Sequence, residues 1–314
     1  MNKRAYLIGW PVAHSLSPLM HEAAYEALGL EDWFYSSLAV KPSNLQRTLR
    51  ELLADEATVG VNVTLPHKEA VLDLVPAASR TVHRIGAANT LARTTEGVFS
   101  CHNTDVAGFA ASMLATGAQP VGRALFLGAG GSARACALAL QAQGLRDLGI
   151  VCRRPEQGRR LLADLALGEV DIDASPSAAA TQVWSWQAMD EALSWLSQAP
   201  CSGLNPGLAA LVNTTPVGMW PRPGASPLAL QQLDLLSRDC LVVDLIYRPR
   251  PTRLLREAVA RGLPVVDGLE MLVRQGFAAL GLWLGCDPGQ EALKAMRRAV
   301  ESALEGDVVQ CSVL

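Results

Sequence analysis

Across the N-terminal third of the chain, short apolar runs alternate with stretches of helical period. "AYLIGW" predicts a strand, and "SPLMHEAAYEALGL" a helix with Ser17 as N-cap, Pro18 at the first helical position and Gly29 as terminator. "DWFYSSLAV" predicts a second strand and "SNLQRTLRELLAD" a second helix, capped by Ser43. In "TVGVNVTLP", Val59, Val61, Val63 and Leu65 alternate onto one face, Asn62 and Thr64 share the other, and Pro66 ends the run. Strands separated by helices imply parallel βαβ units with right-handed crossovers, and so an α/β fold.

A second pattern begins after "NTDVAGF". A helix over "AGFAASMLATG" leads to the strand "RALFLG", a glycine-rich turn, the helix "SARACALALQAQG" and the strand "LGIVCRR". Residues 168–183, the most Ala/Ser-rich part, predict a variable loop around a short strand. "ALVNTTPVGM", "CLVVDLIY" and "LPVVDGLEM" read as later strands of the same sheet. "MLVRQGFAALGLWLG" and "GQEALKAMRRAVESALEG" read as helices, and "DVVQCSVL" as a tail. A chain of 314 residues has room for two such domains.

Composition narrows the class. Hydrophobic residues make up 50% and charged ones 18%, which suits a globular enzyme. A net charge of −3 offers no footprint for nucleic acid or an anionic membrane, so neither is an expected partner. The apolar runs, the N-terminal one included, are too short for a signal-peptide core or a membrane span. Seven cysteines, scattered and without CxxC spacing, point to a reducing cytoplasm rather than disulfides or zinc. Five histidines without ligand-like pairing predict no metal site.

Several stretches carry candidate chemistry. "GAGGSA", Gly128 to Ala133, fits G-x-G-x-x-[G/A] between a strand and a helix. Gly128 permits the tight turn, Gly130 lets the backbone approach a pyrophosphate, and Ala133 keeps helix and strand close. Alone the motif also fits an ordinary glycine-rich turn; between this strand and helix it favours dinucleotide binding. Where NAD-binding domains place an acid against the ribose, this strand ends in Cys152, Arg153 and Arg154. Two guanidiniums suit a 2′-phosphate, hence NADP, unless they are simply solvated; Glu156 nearby leaves NAD open.

"NVTLPHK" places Asn62 and Thr64 at a strand's C-terminal end with Lys68 just beyond, a set suited to a polyhydroxylated substrate or to a solvent-facing edge strand. "AANT" offers Asn89, and "HNTD" offers Asn103, Thr104 and Asp105, each with a turn or cap as the plainer duty. The histidines, taken singly, read as packing or surface residues.

Taken in order, "HSLSP", "NVTLPHK", "AANT", "HNTD", "GAGGSAR", "NTTPVGM", "DLIY" and "DGLEMLVRQG" resemble the signatures of the shikimate dehydrogenase family, spanning residue 14 to about 276. The resemblance implies an N-terminal α/β substrate domain with a mainly parallel sheet, residues 1–107 completed by C-terminal helices in 268–314. It also implies a Rossmann-type, doubly wound NADP-binding domain, 108–267. The implied activity is reversible NADPH-dependent reduction of 3-dehydroshikimate to shikimate, in chorismate and aromatic amino acid biosynthesis, by a cytoplasmic monomer or homodimer.

By resemblance, Ser15 and Ser17 hold the substrate carboxylate, and Asn62, Thr64, Asn89 and Gln275 the ring hydroxyls. Lys68 and Asp105 are the catalytic pair, their side chains meeting, and Tyr247 lies near the substrate. Gly128, Ala129, Gly130, Gly131 and Ser132 cradle the pyrophosphate, with Cys152, Arg153 and Arg154 beside the adenosine. Thr214, Gly218, Met219 and Gly268 line the nicotinamide. The chain departs from the family at Val106, commonly Gly, at Cys152, often Asn, and at Arg154, often Thr. Relatives favouring quinate often carry Thr at the second serine of "HSLSP", so Ser17 favours shikimate. The alternatives are an NAD-using quinate/shikimate dehydrogenase and a non-catalytic, shikimate-sensing relative.

Overall fold

The computed structural model describes residues 2–115, 117, 122–145, 147–166, 181–198 and 208–311, with side chains to residue 305. Most of the Ala/Ser-rich segment lies outside the described residues. The chain divides into two compact units, Met1–Gly108 with Leu272–Leu314, and Phe109–Met271.

The first unit runs β1 (Lys3–Gly9), α1 (Ser17–Ala27), β2 (Trp33–Ala39), α2 (Leu45–Ala54), β3 (Thr58–Val63), α3 (Arg80–Ile85), β4 (Thr90–Arg93), β5 (Phe99–His102) and the start of α4 (Thr104–Ala115). Its sheet has the order β2-β1-β3-β4-β5. Strands β2, β1 and β3 are parallel, and β4 pairs antiparallel with both β3 and β5, so only β4 runs against the rest. Ile8, Val61, Val63, Leu91 and Phe99 form a core with Leu45, Leu49 and Val82 from the helices.

The second unit continues with β6 (Arg123–Leu127), α5 (Gly131–Ala142), β7 (Asp147–Cys152), α6 (Pro155–Ala166), β8 (Gln182–Ser185), α7 (Met189–Ser197), β9 (Ala210–Asn213), β10 (Leu241–Asp244), α8 (Arg253–Val259) and β11 (Val265–Val266). All six strands are parallel, in the order β11-β10-β9-β6-β7-β8. The chain winds outward from β6 in one direction, then restarts at β9 and winds in the other. That is the Rossmann order, with its switch point between β6 and β9. Strands buried on both faces explain the near-continuous apolar runs "ALFL" and "LVV". Two helices close the chain, α9 (Leu269–Leu284) and α10 (Gly289–Cys311). From Leu272 on they belong to the first unit.

Local details depart from the sequence expectations. Ser17 is not the cap of α1: it is the first helical residue, the cap position is Leu16, and Ser15 Oγ accepts from the Ser17 N–H at 3.2 Å. Ser43 falls in a 3-10 turn over Pro42–Asn44, and α2 starts after Asn44 without a side-chain cap. The alternation in "TVGVNVTLP" does not separate core from solvent. Because β3 lies between β1 and β4, Asn62 is buried, whereas Leu65, past the strand, is 62% exposed. The helix after "HN" starts at Thr104 rather than after the aspartate. The expected tail is helical through Cys311, because α10 runs on past Gly306.

Candidate functional site

In the first unit the candidate residues gather at one edge of the sheet, and the strand register explains why. Ser15 and Ser17 follow β1, and Asn62 is the penultimate residue of β3, with Lys68 in the turn beyond. Because β4 is antiparallel, it starts where β3 ends, pairing Asn62 with Thr90. Thr90 in turn pairs with His102 at the end of β5, so Asn103 to Asp105 emerge at the same edge. Four chain segments thus converge at the carboxyl ends of β1, β3 and β5, where α/β sheets bind ligands.

Lys68 Nζ donates to Asp105 Oδ2 at 2.6 Å, with side-chain exposures of 13% and 7%. Asn89 Nδ2 donates to the other carboxylate oxygen at 2.8 Å and to Thr104 Oγ1 at 3.0 Å. Asn89 Oδ1 accepts from the Thr104 N–H at 2.7 Å and the Thr90 hydroxyl at 3.0 Å. Capping of α4 falls to Asn103, whose Oδ1 accepts from the Asp105 N–H at 3.1 Å, so the Asp105 side chain is left to face the ammonium. The Lys68 turn is pinned on both sides. Its carbonyl accepts from the Ala88 N–H at 2.7 Å, and the buried His67 ring meets the Val40 carbonyl at 2.7 Å. An ammonium has three hydrogens and Asp105 takes one, which leaves donors for a ligand oxygen.

Asn62 Nδ2 donates to the Asn89 carbonyl at 3.3 Å and to Thr90 Oγ1 at 3.1 Å. The Tyr35 hydroxyl donates to Asn62 Oδ1 at 2.8 Å and interacts electrostatically with the Ser17 side chain. Ser15 Oγ donates to Ser17 Oγ at 3.2 Å. Thr64 is half-buried beside Gly9, its N–H donating to the Ile8 carbonyl at 2.9 Å. Gln275 stands beside Gly108 of α4, where an added Cβ would come within 2.8 Å of the Gln275 Cβ; its amide donates to the Leu272 carbonyl at 2.9 Å. Tyr35 is the member that sequence reasoning missed. It lies inside an ordinary strand pattern, and only the fold reveals the hydroxyl's partners.

In the second unit the glycine turn sits at the switch point. Gly128 has φ +105°, and a Cβ there would stand 2.8 Å from Thr214 Oγ1. Thr214 Oγ1 itself donates to the Leu127 carbonyl at 2.7 Å, so this packing joins the ends of β6 and β9. Gly130 is the cap position of α5 and faces open space, with no side chain over the helix start. Ala129, Gly131 and Ser132 are half-buried around it. Free N–H groups at the start of a long helix, beside an unfilled glycine cradle, fit a dinucleotide pyrophosphate.

Arg153 and Arg154 follow β7 and are exposed. Cys152 is buried, its Sγ donating to the Arg154 carbonyl at 3.2 Å. In the turn after β9, Asn213 Oδ1 accepts from the Thr215 N–H and hydroxyl at 3.1 and 2.7 Å. Asn213 Nδ2 donates to Asp244 Oδ1 at 3.0 Å, and Thr252 donates to Asp244 Oδ2 at 2.7 Å. Burial pushes the Asp244 carboxyl up to about 6 despite these donors. Gly218 has φ +105°, Met219 is 42% exposed, and Gly268 packs directly on the Leu245 carbonyl. Tyr247 is half-buried, which raises its hydroxyl pKa.

The strand order of the second unit and the polar pocket of the first are together those of a two-domain, dinucleotide-dependent oxidoreductase. Residues 7–91 match the shikimate dehydrogenase substrate binding domain, and residues 268–301 the shikimate 5′-dehydrogenase C-terminal domain. The chain is 38% identical over 300 residues to a shikimate dehydrogenase (NADP(+)) of Synechocystis sp., covering 95% of each chain. It is 41% identical to one from Thermosynechococcus vestitus, covering 95% of this chain and 94% of that one. A crystal structure of shikimate 5-dehydrogenase from Thermus thermophilus, in complex with NADP(H) and shikimate, superposes with a TM-score of 0.77 at 37% identity, over 96% of this chain and 100% of that one. The chain belongs to the shikimate dehydrogenase family.

Proposed function

We propose that this protein catalyses the reversible reaction 3-dehydroshikimate + NADPH + H⁺ ⇌ shikimate + NADP⁺. The observation that carries the reading is the contact between Lys68 and Asp105 at the sheet edge where Asn62, Asn89 and the two serines also converge. Ser15 and Ser17 bind the carboxylate through hydroxyls and helix-start N–H groups, without a formal positive charge. Asn62, Thr64, Asn89 and Gln275 hold the ring hydroxyls, with Tyr247 beside the substrate. The first unit, with its returning C-terminal helices, is thus the substrate domain and the second the dinucleotide domain.

NADP, when bound, supplies the hydride chemistry. Gly128 to Ser132 receive its pyrophosphate, Arg153 and Arg154 its 2′-phosphate, and Thr214, Gly218, Met219 and Gly268 its nicotinamide. Cys152 contributes backbone and packing beside the adenosine. As the ketone is reduced, negative charge gathers on its oxygen and a proton must arrive. Lys68 stabilises that oxygen and donates or relays the proton. Asp105 orients Lys68 and shares the proton, and Asn89 fixes Asp105. The Lys68–Asp105 pair also argues against a purely sensing role, which needs no proton transfer.

The same reading places the enzyme in the cytoplasm as a monomer or homodimer, without nucleic-acid or membrane partners. The scattered cysteines and the net charge of −3 support it. Among the described residues no helix is long and apolar enough to cross a membrane. A panel of shikimate and quinate against NADP and NAD, followed at 340 nm, tests the reading. Shikimate with NADP is expected to dominate. Dominance of quinate with NAD contradicts the substrate and cofactor assignments, and binding without any absorbance change contradicts catalysis.

A further inference from the structure

Tyr35 belongs to no stretch that marks the family, yet its hydroxyl is the junction of the polar network. Its ring is one corner of an aromatic triangle whose other members, His21 and Trp283, are 5.0 Å apart. It stacks on His21 with centroids 4.4 Å apart and planes at 7°, and it meets Trp283 at 6.1 Å. Beneath it, Tyr35, Ala5 and Gly60 form one register row across β2, β1 and β3. The row makes room for the aromatic plate because Ala5 carries only a methyl group, and any Cβ on Gly60 would strike the Trp283 indole. His21 is wholly buried, which drives its pKa down to about 3, so the ring stacked on Tyr35 stays neutral.

The hydroxyl of this fixed ring interacts electrostatically with the Ser17 side chain and donates to Asn62 Oδ1 at 2.8 Å. A donor on Oδ1 selects one of the two orientations of the Asn62 amide, the one that turns Nδ2 to the Asn89 carbonyl and Thr90 Oγ1. From there hydrogen bonds continue through Thr90 and Asn89 to Asp105. Tyr35 thus stands between the Ser15/Ser17 end of the pocket, through its electrostatic interaction with Ser17, and the Asn62/Asn89 end, through its hydrogen bond to Asn62. Chains of this kind polarise one another, so a change in one bond alters the next.

We propose that Tyr35 is a positioning residue that couples the two ends of the substrate pocket, so that carboxylate and ring-hydroxyl recognition are not independent. The inference rests on the reading that Ser17 and Asn62 hold substrate. Phenylalanine at this position keeps the stack but leaves the buried Asn62 oxygen without its donor. Tyr35→Phe is therefore expected to raise KM for shikimate about tenfold, with kcat falling by less than that and KM for NADP unchanged.

The coupling is read from a double-mutant cycle. In the otherwise native chain, the KM effects of Ser17→Ala and Asn62→Ala are expected to depart from simple multiplication by about threefold or more. In the Tyr35→Phe background they multiply. An unchanged KM for shikimate in Tyr35→Phe, or a departure of the same size in both backgrounds, overturns the inference and leaves the activity standing. If Tyr35→Phe does not fold, the cycle in the native chain decides alone, and effects that simply multiply overturn it. A native chain that does not oxidise shikimate overturns both the inference and the functional reading.

Discussion

The Lys68 ammonium and the Asp105 carboxylate are 2.6 Å apart, and the second carboxylate oxygen is held by Asn89 at 2.8 Å. Both carboxylate oxygens are therefore partnered, which offsets the cost of holding an ion pair at 13% and 7% exposure. Asn103 makes the arrangement possible by taking over the cap of α4. In the proposed reaction the pair would meet a ligand with its ammonium already aimed and its carboxylate immobile, so little reorganisation would remain for the chemical step.

Arg153 and Arg154 are exposed at the end of β7, where a 2′-phosphate would sit. Replacing both by alanine is expected to raise KM for NADP by tenfold or more, as each charge-assisted bond contributes about 1.5–3 kcal/mol, and to change KM for NAD far less. Steady-state kinetics with the two cofactors check this. Equal effects on both mean that the pair does not read the phosphate.

Gly128→Ala combines a backbone at φ +105° with a Cβ 2.8 Å from Thr214 Oγ1. The strain, on the order of 1–3 kcal/mol, falls on the junction of β6 and β9. NADP affinity, measured by titration, is expected to fall markedly while shikimate affinity changes little. A parallel loss of both refutes a local effect.

His21 sets an acid limit on stability. Its folded-state pKa of about 3 lies below the ordinary 6.5. The unfolded chain takes up a proton as pH falls through 6.5, whereas the folded chain does not until about 3. This contribution is fully present above 6.5 and is lost as pH falls toward 3, several kcal/mol in all at about 1.4 kcal/mol per unit. His21→Phe keeps the packing against Tyr35 and Trp283, and its melting temperature is expected to fall less steeply from pH 7 to 4 than that of the native chain. Identical slopes exclude His21 as the cause.

Much of the site was legible in the chain because its chemistry lies in strand-end turns, where residues are not needed for the core. Lys68, Asn89 and the turn from Gly128 to Ser132 lie in or beside such turns, while Asn62 is one residue from the end of β3 and Asp105 is in the first turn of α4. The Rossmann half was legible for a second reason: its buried parallel strands are continuous apolar runs. Tyr35 was hidden, since a tyrosine alternating within "WFYSSLA" looks like strand packing until β1 brings it alongside β3. Strands β4 and β5 are four residues each, too short for a clear period, yet their antiparallel register carries Asn89 and Asp105 to the sheet edge. The caps were not legible because Ser17 and Ser43 are of the preferred type, but each helix begins one residue away from where that cap requires.

The most direct test is turnover by Lys68→Ala, measured together with NADP binding. Removing the ammonium is expected to lower kcat for shikimate oxidation about a hundred- to ten-thousand-fold, the usual contribution of one positioned proton-transfer group. NADP affinity should stay at the native value, because Lys68 takes no part in the glycine turn. Near-native turnover in that variant would contradict the assignment of proton transfer to the Lys68–Asp105 pair.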